Sequence, residues 1–377
     1  MLKKSKMKQQ HKIDIILSGG GTGGHVFPAI AVAQELLAQR RDLRILFVGA
    51  VGKMEMKKVP AAGFEIVGLP ISAFHRRLTW KNILFPIKLV LSLIMAGRIL
   101  RKYRPGLVIG TGGFASGPLL KVAHRRKIPT MIQEQNAFPG VTNRLLSKQV
   151  ARICVAHEGM DTWFPSEKLV VTGNPVRKDL LSIENKRAEA LKTFGLSDKR
   201  QVVLLFGGSL GALALNEAIY EGLHKIDKMD LDLIWQTGEN YYQKASAAIE
   251  SMKSESIQAH AFLQQMDLAY AAADLVVCRA GAISLSELSL VKKPAILVPY
   301  PAAAGDHQLK NARSFEQQGA ARVLENKYIK DELITLIKEL LQNKQEQNDI
   351  ARAVAGLGRP DAGKAIASVA IELLEDK

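Results

Sequence analysis

Apolar residues follow two patterns along this chain, short unbroken runs and runs at helical spacing, and glycines mark where one gives way to the other. "IDIIL" reads as a buried strand; "SGGGTGGHVFPA" follows from Ser18 to Ala29, and "PAIAVAQELLAQR" then carries apolar residues at helical spacing. Pro28 stands where a first-turn proline belongs, so the helix is expected to open there. From Gln201, "QVVLLFGGSLGALALNEAIYEGL" repeats the order of strand, glycine turn and helix. Between the two, the strand "GLVIG" runs into another glycine-rich loop, "GTGGFASGP", from Gly110 to Pro118. The pattern predicts an α/β protein with two nucleotide-fold-like domains in tandem. The join is expected around Thr172 to Leu180, where Gly, Asn and Pro break any period.

Five of the six residues from Gly19 to Gly24 are glycine. Glycine permits positive φ and lets a ligand approach the main chain, and N–H groups at a helix start favour an anion such as phosphate. Gly19, Gly21 and Gly24 satisfy the dinucleotide spacing G-x-G-x-x-G. The next strand, "LRILFVGA", has no acidic residue at its end to hold a ribose, which argues against an NAD-dependent oxidoreductase. His25 and Val26 occupy the Lys-Ser/Thr place of a P-loop, so that reading fails as well. Two readings remain for the loop: a phosphate or sugar cradle of another kind, or a structural tight turn.

Charge changes the picture because it is uneven. Residues 1–177 hold 28 Lys/Arg against 9 Asp/Glu, and the remaining 200 hold 24 against 27. A basic half seeks an anionic partner: nucleic acid, acidic lipid or a phosphorylated substrate. Nucleic acid is disfavoured by the absence of zinc-finger or aromatic RNP-like patterns and by only 6% aromatic residues. A membrane surface fits better. From His75, "HRRLTWKNILFPIKLVLSLIMAGRILRKYR" is mainly apolar, but its longest uncharged run, Leu89 to Gly97, is far short of the roughly 20 residues that span a bilayer. Flanking Lys/Arg and Trp80 suit a segment dipping into anionic headgroups, with "FHRRLTWKNILFP" the stronger part. "LVLSLIMAGRIL" reads equally as a core helix packed on a sheet. Cys154 and Cys278, alone in apolar strand-like runs, read as buried free thiols of a reducing compartment. The basic opening "MLKKSKMKQQHK" precedes too short an apolar run for a signal peptide, so a cytoplasmic location is expected.

The second half offers "CRAGAISLSELSLVKKPAILVPYPAAAGDHQLKNA". Ala280 and Gly281 open a turn, Ser284 is placed to cap or precede a helix, and Glu287 lies one turn in. A carboxylate there suits both hydroxyls of a ribose, and equally the glutamate of a capping box begun by Ser284. Asp306, His307, Gln308 and Asn311 cluster at the next expected loop–helix start, where open α/β sheets bind ligands. "DLD" at Asp230 to Asp232 matches a D-x-D metal motif superficially but reads better as the entrance to the strand "LIWQTG".

"GGGTGGHVFPA", "GGFASGP", "QEQNAFPG", "TGNPVR", "FGGSLGA", "AGAISLSEL" and "GDHQLKNA" occur in the order and approximate spacing of the peptidoglycan N-acetylglucosaminyltransferases that make lipid II, and from about Ile13 onward the chain resembles this MurG family. The resemblance implies a GT-B fold, two Rossmann-like domains facing a cleft. By it, residues 1–176 form an N-terminal domain binding acceptor and membrane, 177–355 a UDP-GlcNAc-binding domain, and 356–377 a helix returning to the first. It implies inverting transfer of GlcNAc from UDP-GlcNAc to the C4 hydroxyl of MurNAc in undecaprenyl-diphospho-MurNAc-pentapeptide, with no metal and no cofactor. The place implied is the cytoplasmic face of the bacterial inner membrane, peripherally held on its anionic surface, with other wall-synthesis and division proteins as further partners.

Residue roles carry over by the same resemblance. Glu287 takes the ribose hydroxyls, Ala282, Ile283 and Ser284 lie along the nucleotide, and Ser209 approaches the diphosphate. Arg177, Asn136, Gln308 and Asn311 complete the donor site, with Thr22 and Gly23 also assigned to it. Gly21, Gly24 and His25, with Gly112, Gly113, Ser116 and Gly117, receive the lipid diphosphate as an anion nest. Inversion needs a base for the acceptor proton. His25, an imidazole titrating near neutrality, serves as that base or as a phosphate ligand, and Glu134 is the second candidate for the chemistry. Phe114 stands where many relatives carry tyrosine, so no phenolic role transfers. Alternatives are a related lipid-sugar transferase, such as a diacylglycerol galactosyltransferase, and a non-catalytic membrane-associated scaffold.

Overall fold

The computed structural model describes residues 12–72, 85–208, 210–303 and 306–376. Ser209, the stretch 73–84 with Arg76, Arg77 and Trp80, and residues 1–11 of the basic opening lie outside them. The chain divides into two compact units, Met1–Val176 with Asp361–Lys377, and Arg177–Pro360. Leu357 still packs in the second unit's core, and the chain re-enters the first at Asp361.

In the first unit seven parallel strands lie in the order β3-β2-β1-β4-β5-β6-β7. They are β1 Ile15–Gly19, β2 Ile45–Ala50, β3 Glu65–Leu69, β4 Leu107–Gly112, β5 Thr130–Glu134, β6 Arg152–Val155 and β7 Leu169–Val171. Unbroken apolar runs suit a sheet covered on both faces. Ile16 of β1 joins the core on one face, while Ile15 and Leu17 join the core on the other. The second face is closed by helix Gly23–Gln39 and by helix Ala362–Glu375, whose Ile366, Ala367 and Ala370 are fully buried. Gln39 Nε2 donates to the Lys364 carbonyl at 3.0 Å beside them.

The first helix corrects the sequence expectation. It begins at Gly23, five residues before Pro28, which lies inside it. Proline there removes the bond its N–H would make to the Gly24 carbonyl and crowds that carbonyl with its ring, yet the turn before it stays helical. The helix-start N–H groups are therefore those of the glycines.

In the second unit six parallel strands lie in the order β10-β9-β8-β11-β12-β13. They are β8 Gln201–Phe206, β9 Leu231–Gln236, β10 Ile257–His260, β11 Leu275–Cys278, β12 Ala295–Leu297 and β13 Arg322–Val323. Val202, Leu204 and Phe206 face one core, and Val203 and Leu205 the other. In each sheet the chain order reverses at the first strand formed, between β1 and β4 and between β8 and β11. The loops leaving such neighbouring strands diverge to opposite faces and open a crevice at the carboxyl ends. All three glycine-rich loops of the sequence leave strands at these two points.

Helix Phe85–Tyr103 resolves the core-or-surface alternative by being both. Ser92, Ala96, Gly97, Ile99 and Leu100 are buried, whereas Ile87, Val90, Leu91 and Ile94 are about half exposed and fall on one helical face. Among the described residues no helix is long and apolar enough to cross a membrane.

Candidate functional site

In the first unit the loops after β1 and β4 interlock. Gly113 has φ +82°, and a Cβ added there would lie 2.1 Å from the Gly20 carbonyl oxygen, so only glycine allows the approach. Thr111 Oγ1 donates to the His25 carbonyl at 2.7 Å, tying the end of β4 to the first helical turn. The His25 ring lies against Gly112 (φ +104°), where an added Cβ would meet Cδ2 at 2.8 Å and Nε2 at 3.0 Å. Thr22 Oγ1 is 3.2 Å from His25 Nδ1. When Nδ1–H donates to that hydroxyl, Nε2 carries the lone pair, the state a general base needs.

Other first-unit candidates serve the loop itself. The Gly21 N–H, expected in an anion nest, donates inward to Glu55 Oε2 at 3.1 Å. Ser116 is buried, and its hydroxyl donates back to the Gly113 carbonyl at 3.0 Å. Gly117 packs near Thr142, and the Phe114 ring lies against Gly21. Glu134, at the end of β5, is buried with both oxygens engaged. Oε1 accepts from the Asn136 backbone at 3.0 Å and its side chain at 3.2 Å; Oε2 accepts from Gly140 N at 3.0 Å and Asn143 Nδ2 at 2.8 Å. A carboxylate with four donors shapes the "EQNAFPG" turn, and through Asn143 it reaches the Gly112 side of His25. His157, unnoticed in the sequence, sits nearby; burial holds its imidazole below the ordinary value while Glu134 acts in the opposite sense. Thr22, Gly23 and Asn136, assigned to the donor, belong to this first unit.

In the second unit β11 ends at Cys278, Gly281 takes the N-cap position and helix Ala282–Val291 follows. Ala282, Ile283 and Ser284 form the helix's half-buried first turn, whose N–H groups have no intrahelical partner. The capping-box alternative for Ser284 and Glu287 is therefore not realised, because the helix starts two residues before Ser284. The Glu287 side chain points elsewhere: Oε2 accepts from the Tyr270 hydroxyl at 3.1 Å, and Oε1 lies 3.3 Å from Arg177 Nε. Burial pushes its carboxyl upward, opposed by Arg177 and the Tyr270 hydrogen bond. A carboxylate has about four lone-pair sites, so these two contacts leave about two of them for further hydrogen-bond donors.

Around this turn the remaining candidates converge. Asn311 Nδ2 donates to the Ala280 carbonyl at 3.5 Å, and its buried Oδ1 has no hydrogen-bond partner among the described residues. Arg279 donates to the Val298 and Pro299 carbonyls at 3.1 and 3.2 Å and lies over the Tyr300 ring. Burial lowers its guanidinium to about 10. Gln308 Oε1 accepts from Tyr300 N at 2.9 Å, fixing the loop after β12. Tyr270 and Arg279 carry no sequence motif of their own and are visible only through these contacts.

Asp230 and Asp232 lie at the start of β9, the opposite end of the sheet from these loops, 3.4 and 3.6 Å from Arg200. Among the described residues no three His, Cys, Asp or Glu side chains form a group able to hold a metal. Cys154 and Cys278 are free and buried, and burial raises the Cys154 thiol to about 12 and that of Cys278 still further.

Known proteins match throughout. The N-terminal domain of glycosyltransferase family 28 matches residues 15–155 and its C-terminal domain residues 202–366. The chain is 43% identical over 373 residues, 98% of each chain, to the Bacteroides fragilis (strain ATCC 25285) protein named UDP-N-acetylglucosamine--N-acetylmuramyl-(pentapeptide) pyrophosphoryl-undecaprenol N-acetylglucosamine transferase. It is 44% identical to the Flavobacterium psychrophilum protein of that name over 369 residues, 98% of this chain and 99% of that one. Among solved structures, Acinetobacter baumannii MurG superposes with a TM-score of 0.76 at 28% identity, covering 96% of this chain and 99% of that one. A UDP-glucose:anthocyanidin 3-O-glucosyltransferase, 12% identical with a TM-score of 0.68 over 97% of this chain and 100% of that one, shares the fold. Both sheets, the loops at their reversal points and these full-length matches agree that the chain belongs to glycosyltransferase family 28, with a GT-B fold.

Proposed function

We propose that the protein transfers GlcNAc from UDP-GlcNAc to the C4 hydroxyl of MurNAc in undecaprenyl-diphospho-MurNAc-pentapeptide, converting lipid I to lipid II. The full-length match to relatives named for that transfer carries the reading, and the chemistry of the two loop clusters supports it.

The donor belongs to the second unit. Glu287 accepts from the ribose hydroxyls, and Ala282 and Ile283 run along the nucleotide. Arg177 and the first-turn N–H groups of helix Ala282–Val291 supply positive potential for the diphosphate, the charge a departing UDP must carry. With that charge met by protein groups, the transfer requires no metal. The acceptor belongs to the first unit; Gly23, assigned to the donor by resemblance, is placed with the acceptor instead because it opens the same helix as Gly24, and both N–H groups face the acceptor diphosphate.

The acceptor C4 oxygen attacks the anomeric carbon from the face opposite UDP. The new O–C bond forms as the bond to the β-phosphate oxygen breaks, the electron pair leaves with UDP, and the configuration inverts. The hydroxyl proton passes to His25 Nε2, while Glu134 positions the site through Asn143. The exposed stripe of Ile87, Val90, Leu91 and Ile94, close in sequence to Lys88 and Arg98, supports peripheral attachment to the anionic cytoplasmic face of the inner membrane. A radiolabelled assay with UDP-GlcNAc and a short-chain lipid I analogue tests the function. Transfer is expected, and its absence alongside activity with UDP-galactose and diacylglycerol would replace this reading.

A further inference from the structure

We propose that Glu55 is a positioning residue for the acceptor loop, an inference resting on the transfer reading above. Glu55 begins the short helix Glu55–Ala61, reached from β2 by a turn, and in sequence "GKMEMKK" marks it as an ordinary surface charge. Instead its side chain is fully buried. Oε2 accepts the Gly21 N–H at 3.1 Å and Oε1 the Ala50 N–H at 3.0 Å, so one carboxylate joins the end of β2 to the loop after β1. Both glycines beside it make room for it: a Cβ at Gly20 would lie 2.3 Å from Oε1, and one at Gly49 would lie 2.5 Å from Cγ.

This contact sets the direction of the loop. A carboxylate behind the loop attracts one N–H inward and opposes an anion on the same side. The diphosphate is thereby directed to the outer face, toward Gly23 and Gly24. Gly21 is followed at once by Thr22, the N-cap residue whose hydroxyl meets His25 Nδ1. Glu55 thus acts on His25 through two residues of main chain and one hydroxyl, without touching substrate.

Glu55→Gln tests this, because the amide keeps the shape but turns one acceptor into a donor facing an N–H. Hydrogen exchange of the peptide 19–25 should accelerate about tenfold, and kcat/KM for the lipid I analogue should fall about tenfold. The KM for UDP-GlcNAc and the exchange of residues 201–217 should stay within about twofold. Faster loop exchange with unchanged transfer constants would reduce Glu55 to a fold contact, and unchanged exchange would remove the contact altogether; either overturns the proposal. If Glu55→Gln loses UDP binding through unfolding, Gly20→Ala, which presses on the carboxylate without removing it, decides by the same two readings. Wild-type protein that does not transfer would overturn the function, while the exchange comparison would still decide whether Glu55 holds the loop.

Discussion

Arg177 Nε and Glu287 Oε1 face each other at 3.3 Å, and the Tyr270 hydroxyl occupies the other carboxylate oxygen at 3.1 Å. Burial raises the Glu287 carboxyl above its ordinary value, and Arg177 and the Tyr270 hydroxyl work against that rise while fixing both oxygens in place. The arrangement makes Glu287 a rigid acceptor before any nucleotide arrives. Glu287→Ala should therefore raise the KM for UDP-GlcNAc by about 10- to 100-fold, the worth of one or two hydrogen bonds to a charged group. The acceptor KM should change little. Steady-state kinetics with each substrate varied in turn checks this, and equal losses would limit Glu287 to supporting its helix.

For His25 the expected loss is in the chemical step. His25→Ala should lower kcat by about 10² to 10⁴, the usual worth of general-base catalysis, while both substrates still bind. A loss confined to acceptor affinity would make the imidazole a phosphate ligand.

Asp230 and Asp232 pair with Arg200 at the start of β9. Transfer is therefore expected to persist in EDTA, and Asp230→Asn with Asp232→Asn should leave kcat within about twofold, because both residues lie at the start of β9, the opposite end of the sheet from the loops that carry the candidate site. An absolute metal requirement in the same assay would contradict this.

Ile87→Glu with Ile94→Glu places two charges on the exposed stripe without entering the core. Binding to anionic vesicles in a flotation assay should fall about tenfold or more, while transfer to a water-soluble acceptor analogue should be retained. Unchanged flotation would move the attachment to another surface.

Much of this was legible in the chain because each signal was local. Short apolar runs announce the buried parallel strands, three of them leading into glycine-rich loops, and the ends of β1, β4 and β11 with the loops and helix starts that follow them hold His25, Gly112, Gly281 and Glu287. Pro28 misled because a first-turn preference is only a preference, and Gly23 and Gly24 were willing to be helical. Ser284 and Glu287 had the spacing of a capping box, but spacing cannot tell where the helix begins. Glu55, Asn143 and Tyr270 were invisible for a different reason. Glu55 meets Gly21 across 34 residues and Tyr270 meets Glu287 across 17, so only the assembled sheet brings them together.

The helix Ala362–Glu375 has a bearing on the order of folding during synthesis. It belongs to the first unit, yet the whole of the second unit is made before it. Until it emerges, the face of helix Gly23–Gln39 destined for Ile366, Ala367 and Ala370 stays uncovered. The second unit, contiguous from Arg177 to Pro360, has its complete sequence in hand earlier and is the part able to finish first. A nascent chain released short of Asp361 should thus carry a finished second unit together with a first unit that has an open apolar seam, a natural substrate for chaperones and for proteolysis.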